Sequence, residues 1–550
     1  GGGSDGRQSS RRRAGRPARC CASPSMASEE SQTYTTSDEE VDVIIDENEV
    51  ECFGPFCGAE EPRVEVDESH KGGLPCDKMM RVALVALFAT MGSTLFGLDI
   101  GYIGPIIESQ SFKRDVEHLE HGNVSSNTEG LIVSLFSIGA IFTAFPVISS
   151  YFIDEWGRKM SIMAGSLVFI IGSIIQLSCQ GNTQLFFGRF VSGMAIGLLS
   201  AVIVLYQSEL APASMRGALS TLYQLGITFG ILLAAFIDQL MVDREEGWRM
   251  VMGIICIPAA CLLVGMVCLP RSPRWLVQKG KRKEALKVLL TIRSDAEAVK
   301  EEEEIFQEIE KSRAEGEPAW IELFQGRCGR LIVLGMTLQI LQQLVGMNAF
   351  MYFGPKIFES IGFDKNMFTT INNFVNFLAS FPAVFLADRA GRRQLMLWSA
   401  MGMTLACGLM GLMGSLYVVA KPADPAVPDS EPGWTVSNKS AGWVIAGSAF
   451  FFVFNFAFGF GPIVWVYCAE IFPMRYRARA LGVTTVANWV GNFIIAQFTP
   501  MLLDAIQFST FFVFGFFCFL GVLISAYIPE TKGVPLENIQ ELFDRKVGFR

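Results

Sequence analysis

The chain has 550 residues, 51% of them hydrophobic and only 18% charged, with a formal net charge of −9 at pH 7. That composition excludes an ordinary soluble domain of this size. Apolar stretches of roughly 18–25 residues, each long enough to cross ~30 Å of hydrocarbon, recur along it, so the chain reads as an all-α membrane protein.

In chain order, residues 1–25 are basic and of low complexity, with Arg11 to Arg13, Arg16 and Arg19. Met26 opens "MASEESQTYTTSDEEVDVIIDENEVE" and reads as a translation start. From Glu29 to Glu68 fifteen acidic residues stand against one arginine. Such a segment cannot bury enough apolar surface to order itself, so residues 1–78 are predicted to form a disordered, acidic, cytoplasmic tail. No cleavable signal precedes the first apolar stretch, and the first span is expected to target the chain.

Twelve spans follow, near 80–103, 131–153, 160–179, 184–208, 217–240, 249–269, 330–353, 367–387, 395–419, 442–468, 480–502 and 508–528. They divide into an N-terminal six-helix half, 79–269, and a C-terminal six-helix half, 330–529. Between them, "KGKRKEALKVLL" and "EEEEIFQEIEKSR" within 270–329 have the pattern of short amphipathic helices in a cytoplasmic linker. Residues 530–550 form a C-terminal cytoplasmic tail. Of the thirteen cysteines, Cys179, Cys261, Cys268, Cys407 and Cys518 fall within or at the ends of spans, where Cys is usually a small apolar filler. Their spacing fits no zinc site, and no metal or cofactor is expected. The chain has no P-loop, and its one basic run is balanced by Glu301 to Glu304, which excludes nucleotide and nucleic-acid roles.

Positive charge sets the orientation. The connections after spans 2, 4, 6, 8 and 10 hold roughly 22 Lys and Arg, and those after the odd-numbered spans about 8, which places the even connections and both termini in the cytoplasm. Two sequons, Asn123-Val-Ser and Asn438-Lys-Ser, fall in the longest loops then predicted outside, and make Asn123 and Asn438 glycosylation candidates. The halves also repeat each other. "DEWGRK" (154–159) after span 2 matches "DRAGRR" (388–393) after span 8. "ELAPASMR" (209–216) leaves span 4 as "EIFPMRYR" (470–477) leaves span 10, and "LPRSPRW" (269–275) leaves span 6 as "IPETKG" (528–533) leaves span 12. Three motifs in register mark a duplicated six-helix unit.

Within the spans the polar residues stand out. "QILQQLVGMNAFMYFGP" (339–355) carries Gln339, Gln342, Gln343 and Asn348 and no charge. Lipid satisfies none of an amide's donors and acceptors. One reading is helix–helix glue, at about 0.6–2 kcal/mol per contact. The other is a polar cavity. On an ideal helix Gln342, Gln343 and Asn348 spread over about 220°, so one straight helix cannot aim all three at one place. Gly346 lies among them, and a helix broken there is expected, facing a polar pocket near the midplane. Gln224 in span 5, Asn376 in span 8, Trp465 in span 10, and Asn488, Trp489 and Asn492 in span 11 are candidates to converge on it. Gly459, Gly461 and Pro462 are candidate flexible points of span 10, where seven Phe fill "FFFVFNFAFGF". Asp99 is a lone acid inside span 1; it is functional by default at such depth, and Arg189 at the start of span 4 is its candidate partner. A permanent Asp99–Arg189 salt bridge that merely joins two helices is the competing reading.

These motifs, together with "GRF" (188–190), "QLGI" (224–227), "QQLVGMN" (342–348), "GPIVW" (461–465) and "PETKG" (529–533), resemble the sugar porter family of the major facilitator superfamily, over about residues 80–545. Within that family the chain resembles facilitative glucose transporters and bacterial proton–sugar symporters. The resemblance implies a major facilitator fold in which Gln224, Gln342, Gln343, Asn348, Asn376, Trp465, Asn488, Trp489 and Asn492 form the sugar site. It also places Asp99 where proton-coupled members keep an Asp and facilitative members an Asn. Glu155 and Arg271 depart from the usual Arg and Glu of their loops, Phe353 lacks a hydroxyl often present there, and Ala457 replaces a common Glu.

The chemistry agrees with a neutral polyol. A hexose hydroxyl donates and accepts as a carboxamide does, and an indole covers the C–H face of the ring. Asp154, Arg158, Glu209, Arg216, Asp388, Arg389, Arg392, Glu470 and Arg477 are expected to form ion pairs between helices and halves that close the cytoplasmic gate, with positive-inside anchoring as the competing reading. The expectation is a hexose transporter, moving D-glucose and related hexoses by alternating access as a facilitative uniporter in the plasma membrane, its partners being the sugar and the lipid bilayer. One alternative is a proton-coupled hexose or inositol symporter with the proton as co-substrate on Asp99. The other is a non-transporting sugar receptor. No nucleophile or acid–base pair suggests an enzyme.

Overall fold

The structure, a computed structural model, describes residues 76–532 and 542–543, apart from 119–123, 212–215, 243, 317–319, 422–432 and 474–475. The expected tail up to residue 75, most of the C-terminal tail and Asn123 lie outside the described residues, as do the side chains of Arg216 and Asp388.

Among the described residues, ten stretches are long and apolar enough to cross a membrane. One of them, Arg477–Tyr527, holds two helices turned at Gln507, and Lys365–Ala390 completes twelve. In chain order these are α1 (Leu84–Ile107), α2 (Ser126–Ala144), α3 (Arg158–Leu177), α4 (Asn182–Leu210), α5 (Arg216–Met241), α6 (Gly247–Cys268), α7 (Gly326–Ser360), α8 (Lys365–Ala390), α9 (Arg392–Tyr417), α10 (Lys439–Ile471), α11 (Arg477–Ile506) and α12 (Thr510–Tyr527). The burial pattern inverts that of a soluble protein. Phe142, Phe187, Leu240, Val264, Leu405 and Phe516 are exposed on the outside of the bundle, while Gln176, Thr228, Gln339, Asn372 and Asn488 are buried within it.

Three spans are less regular than their hydropathy suggests. α2 stops at Ala144, because Pro146 has no N–H to continue the ladder; a short helix Pro146–Ser150 and a wide π turn Tyr151–Trp156 follow. α7 is interrupted between Leu344 and Met347, at the place expected from its sequence. α10 widens into a π turn at Phe456–Phe460. There Ser399 of α9 wedges in. Its hydroxyl donates to the Asn455 carbonyl (2.8 Å) and accepts from the Phe460 N–H (2.8 Å), which separates two groups that an unbroken helix would satisfy internally.

The linker forms helices Pro273–Gln278, Arg282–Ile292 and Asp295–Glu315, the last opened by a Ser294/Glu297 capping box. They share a small core of Trp275, Leu276, Val277 and Ala285. Arg293 donates to the Leu210 carbonyl (3.2 Å) and Trp275 Nε1 to the Asp154 carbonyl (2.9 Å), so this bundle is fastened to the N-terminal half. An antiparallel hairpin, β1 (Val418–Lys421) with β2 (Gly433–Val436), was not foreseen; it precedes the exposed Asn438, which caps α10 by accepting from the Ser440 and Ala441 N–H groups. The halves meet along two seams, α2 against α11 and α5 against α8.

Candidate substrate-binding site

The site begins with the backbone of α7. Gly346 has φ +95, a left-handed conformation that costs other residues about 1–2 kcal/mol. A Cβ there would also stand 2.6 Å from the Phe514 ring. The helix therefore ends and restarts, and the kink brings Asn348 Nδ2 to 2.6 Å from Gln343 Oε1. Gln343 Nε2 donates to Asn488 Oδ1 of α11 (2.9 Å) and to Gln342 Oε1 (3.2 Å). Asn488 Nδ2 in turn donates to Gln342 Oε1 (2.8 Å) and Gln339 Oε1 (2.9 Å), and Gln342 Nε2 reaches the Gly461 carbonyl of α10 (3.2 Å). Five amides thus form one uncharged cluster between three helices. Gln339 Nε2 is buried without a partner, and Asn348 is half-buried at the edge.

Of the residues expected here from sequence, Gln342, Gln343, Asn348 and Asn488 come together. Gln224 and Trp465 are half-buried and Asn376 is buried, and none of the described hydrogen bonds joins their side chains to the cluster. Trp489 is buried between the halves, its indole 5.2 Å from the Phe96 ring and 6.0 Å from the Phe136 ring. Asn492 accepts from Ser137 of α2 (2.9 Å) and from Tyr352 (3.2 Å), which also ties the halves together. Gln339 was left out of the expected ligands. Its spacing of three residues from Gln342 puts both on one face, which was the available signal.

Asp99 and Arg189 are paired as expected, at 2.8 Å, and both are fully buried. Tyr102 donates to Asp99 (3.1 Å), Arg189 Nε donates to the Ile132 carbonyl (3.0 Å), and the guanidinium lies 4.8 Å from the centre of the Phe136 ring. Arg189 Nη2 has no partner.

At the end of the bundle that holds the C-termini of α1 and α7, the halves are clasped. Lys356 Nζ of α7 sits 3.1 Å from Glu129 of α2 and 3.3 Å from Asp504 of α11. Ser126 bonds Asp504, and Lys365 Nζ donates to the Glu108 carbonyl (3.2 Å). α1 and α7 approach so closely that a Cβ on Gly104 would stand 2.2 Å from the Tyr352 carbonyl oxygen.

A family model described as "Sugar (and other) transporter" matches residues 85–543. The chain belongs to the sugar transporter family. The hexose transporter HXT10 of Saccharomyces cerevisiae is 33% identical over 478 residues, covering 84% of this chain and 85% of that protein. The glucose transporter GlcP of Staphylococcus epidermidis is 31% identical, covering 85% and 98%. Among solved structures, the proton:xylose symporter XylE, bound to 6-bromo-6-deoxy-D-glucose, aligns with a TM-score of 0.68 at 26% identity, covering 84% of this chain and 98% of that one. The twelve helices are those of a major facilitator sugar porter.

In this sugar transporter the repeated loop motifs build the same cluster twice. Arg158 clamps Glu209 (2.8 Å) and Asp154 (3.4 Å), and Ser272 donates to Glu209 (2.5 Å). In the second half Arg392 clamps Glu470 (2.8 Å), and Thr531 donates to Glu470 (2.6 Å). An arginine after the second span, a glutamate at the end of the fourth and a hydroxyl after the sixth recur in each repeat. Each of these pairs lies within one half, and the Lys356–Glu129 pair, at the other end, joins the halves. Arg389 supplies a carbonyl to Lys532 (2.6 Å), and Arg477 donates to the Phe472 carbonyl (3.2 Å).

Proposed function

We propose that this transporter moves a neutral hexose, D-glucose and related sugars, by alternating access. The observation that carries the reading is the uncharged cluster of Gln339, Gln342, Gln343, Asn348 and Asn488, set at the break of α7, with the half-buried Asn348 amide and the unpartnered Gln339 nitrogen as free hydrogen-bonding capacity. Polyol hydroxyls exchange directly for such amide–amide bonds, whereas a charged ligand would need a counter-ion. Gln224, Asn376 and Trp465 are assigned to the same sugar path. The named relatives agree with this substrate class. The clasped end is taken as extracellular, both termini as cytoplasmic, and the plasma membrane as the site of action, with the division of the chain at 79–269, 270–329 and 330–529 following from that topology.

A uniporter is the first reading. Buried pairing of Asp99 with Arg189 keeps the symport reading open, and the structural neighbour named a proton symporter favours it. Proteoliposomes loaded with labelled glucose to steady state separate the two. Filling to the external level with or without an inward proton gradient is the expected result. Accumulation above that level that disappears in Asp99→Asn would make the protein a symporter. Absence of any glucose entry would remove the proposal.

A further inference from the structure

One face of α5 carries Gln224, Thr228, Ile231, Ala235 and Asp238, spaced alternately by four and three residues. Asp238 lies on the same stripe as Gln224 and about 21 Å further along the axis toward the clasped end. It is 2% exposed, and neither carboxylate oxygen has a hydrogen-bond partner. On α8, which packs against α5, Asn372 and Asn373 stand one turn beyond Asn376 toward the same end. Both are buried; neither amide atom of Asn372 is bonded, nor is the oxygen of Asn373. Toward the clasped end five polar atoms are thus buried unbonded, each costing about 1–3 kcal/mol if left so.

Among the described residues, no charged side chain of the elements around Asp238 is bonded to its carboxylate. On α1, Asp99 and Tyr102 are engaged with Arg189, and Glu108 with Lys113. On α8, Lys365 is held by Glu359 and the Glu108 carbonyl, and Asp388 and Arg389 are at the far end. On α6, Arg249 binds Asp115 and Glu246, and the remaining titratable groups are the thiols of Cys256, Cys261 and Cys268. On α4, Arg189 and Glu209 are paired, and Tyr206 donates to the Pro270 carbonyl; Lys78, before α1, holds Asp295. On α5 itself, Arg216 and Tyr223 belong to the opposite end.

Resting on the transport reading and its orientation, we infer that Asp238 is a proton-binding site on the outer half of the sugar path, filled from outside as the outer end closes. A hydronium ion in the open vestibule gives its proton to one Asp238 oxygen and leaves as water, and the neutral carboxyl is then buried. A bare charge enclosed there without a partner would oppose closure by several kcal/mol. Because the proton returns to the side it came from when the outer end reopens, it sets the rate of sugar entry and not the final level. That separates it from coupling at Asp99, whose charge is already met by Arg189.

The test is initial glucose influx into proteoliposomes while external pH is varied from about 6 to about 8, a window that buried carboxyls reach. Influx falls severalfold with rising external pH in the wild type, and loses that dependence in Asp238→Asn. A wild-type profile in Asp238→Asn, or a flat profile in the wild-type protein, overturns the inference. Should Asp238→Asn not insert, Asp238→Glu must move the midpoint, and an unmoved midpoint counts equally against it. Infrared spectra of the purified protein provide a readout independent of transport. A carboxylic-acid carbonyl band present in wild type and missing from Asp238→Asn supports the site even if glucose is the wrong sugar, and identical spectra refute it.

Discussion

Asn488→Ala raises the KM for glucose influx by about 10- to 100-fold, the equivalent of about 1–3 kcal/mol. The side chain is the hub of the amide cluster: it accepts from Gln343 and donates to both Gln342 and Gln339. Without it three α7 amides lose their α11 partner and the sugar loses a prearranged surface. Gln343→Ala and Asn348→Ala follow in the same direction. Stabilisation of the purified protein by glucose in a thermal melt is the accompanying measurement, because a ligand that no longer binds no longer raises the melting temperature. Intact folding with unchanged KM and unchanged stabilisation would take the cluster out of the sugar's path.

Lys356→Met has the other large effect. One ammonium holds Glu129 and Asp504 together across the seam between halves, and Glu129 is almost fully buried. Removing one partner of a buried pair costs about 3–5 kcal/mol, and here it also leaves two carboxylates facing each other. The loss falls on the state whose outer end is closed, which shifts the population outward by two orders of magnitude or more, on the order of what about 3 kcal/mol supplies. Glucose still binds from outside, influx drops steeply, and a cysteine placed at Phe353, buried in the closed arrangement, becomes open to an impermeant thiol reagent. Lys356→Met with Glu129→Gln recovers part of the influx, since it also removes an orphaned charge. If labelling at position 353 is unchanged in Lys356→Met, the ion cluster does not govern the outer end.

The architecture was legible in the sequence because it rests on length and periodicity. Twelve apolar runs, repeated loop motifs and a charged linker are coarse signals that local accidents do not erase. The break in α7 was legible too, since Gly346 stands among amides that one straight helix cannot aim together. What stayed hidden depends on pairing across distance. Nothing near Lys356 in the chain names Glu129 or Asp504, and in a hydropathy profile Lys356 only marks the end of a span. Ser399 looks like any hydroxyl in an apolar helix until it is seen between Asn455 and Phe460. Asp238 was overlooked next to Asp99 because it lies near the end of its span, where acids are ordinarily solvated. Trp489 has partners that no local pattern announces: its indole packs against Phe96 and Phe136 of the other half.

The π turn of α10 has a hereditary consequence. It stores one residue more than the span needs, and Ser399 keeps that surplus in place. Losing a single codon from Phe456–Phe460 would let the helix wind regularly, turning everything from Gly461 to Ile471 by about 100° and drawing it back by about 1.5 Å. The Gly461 carbonyl would swing away from Gln342 and, nine residues on, Glu470 from Arg392. The lipid-facing phenylalanines of this span are free to drift in identity, but its length is not free to drift at all.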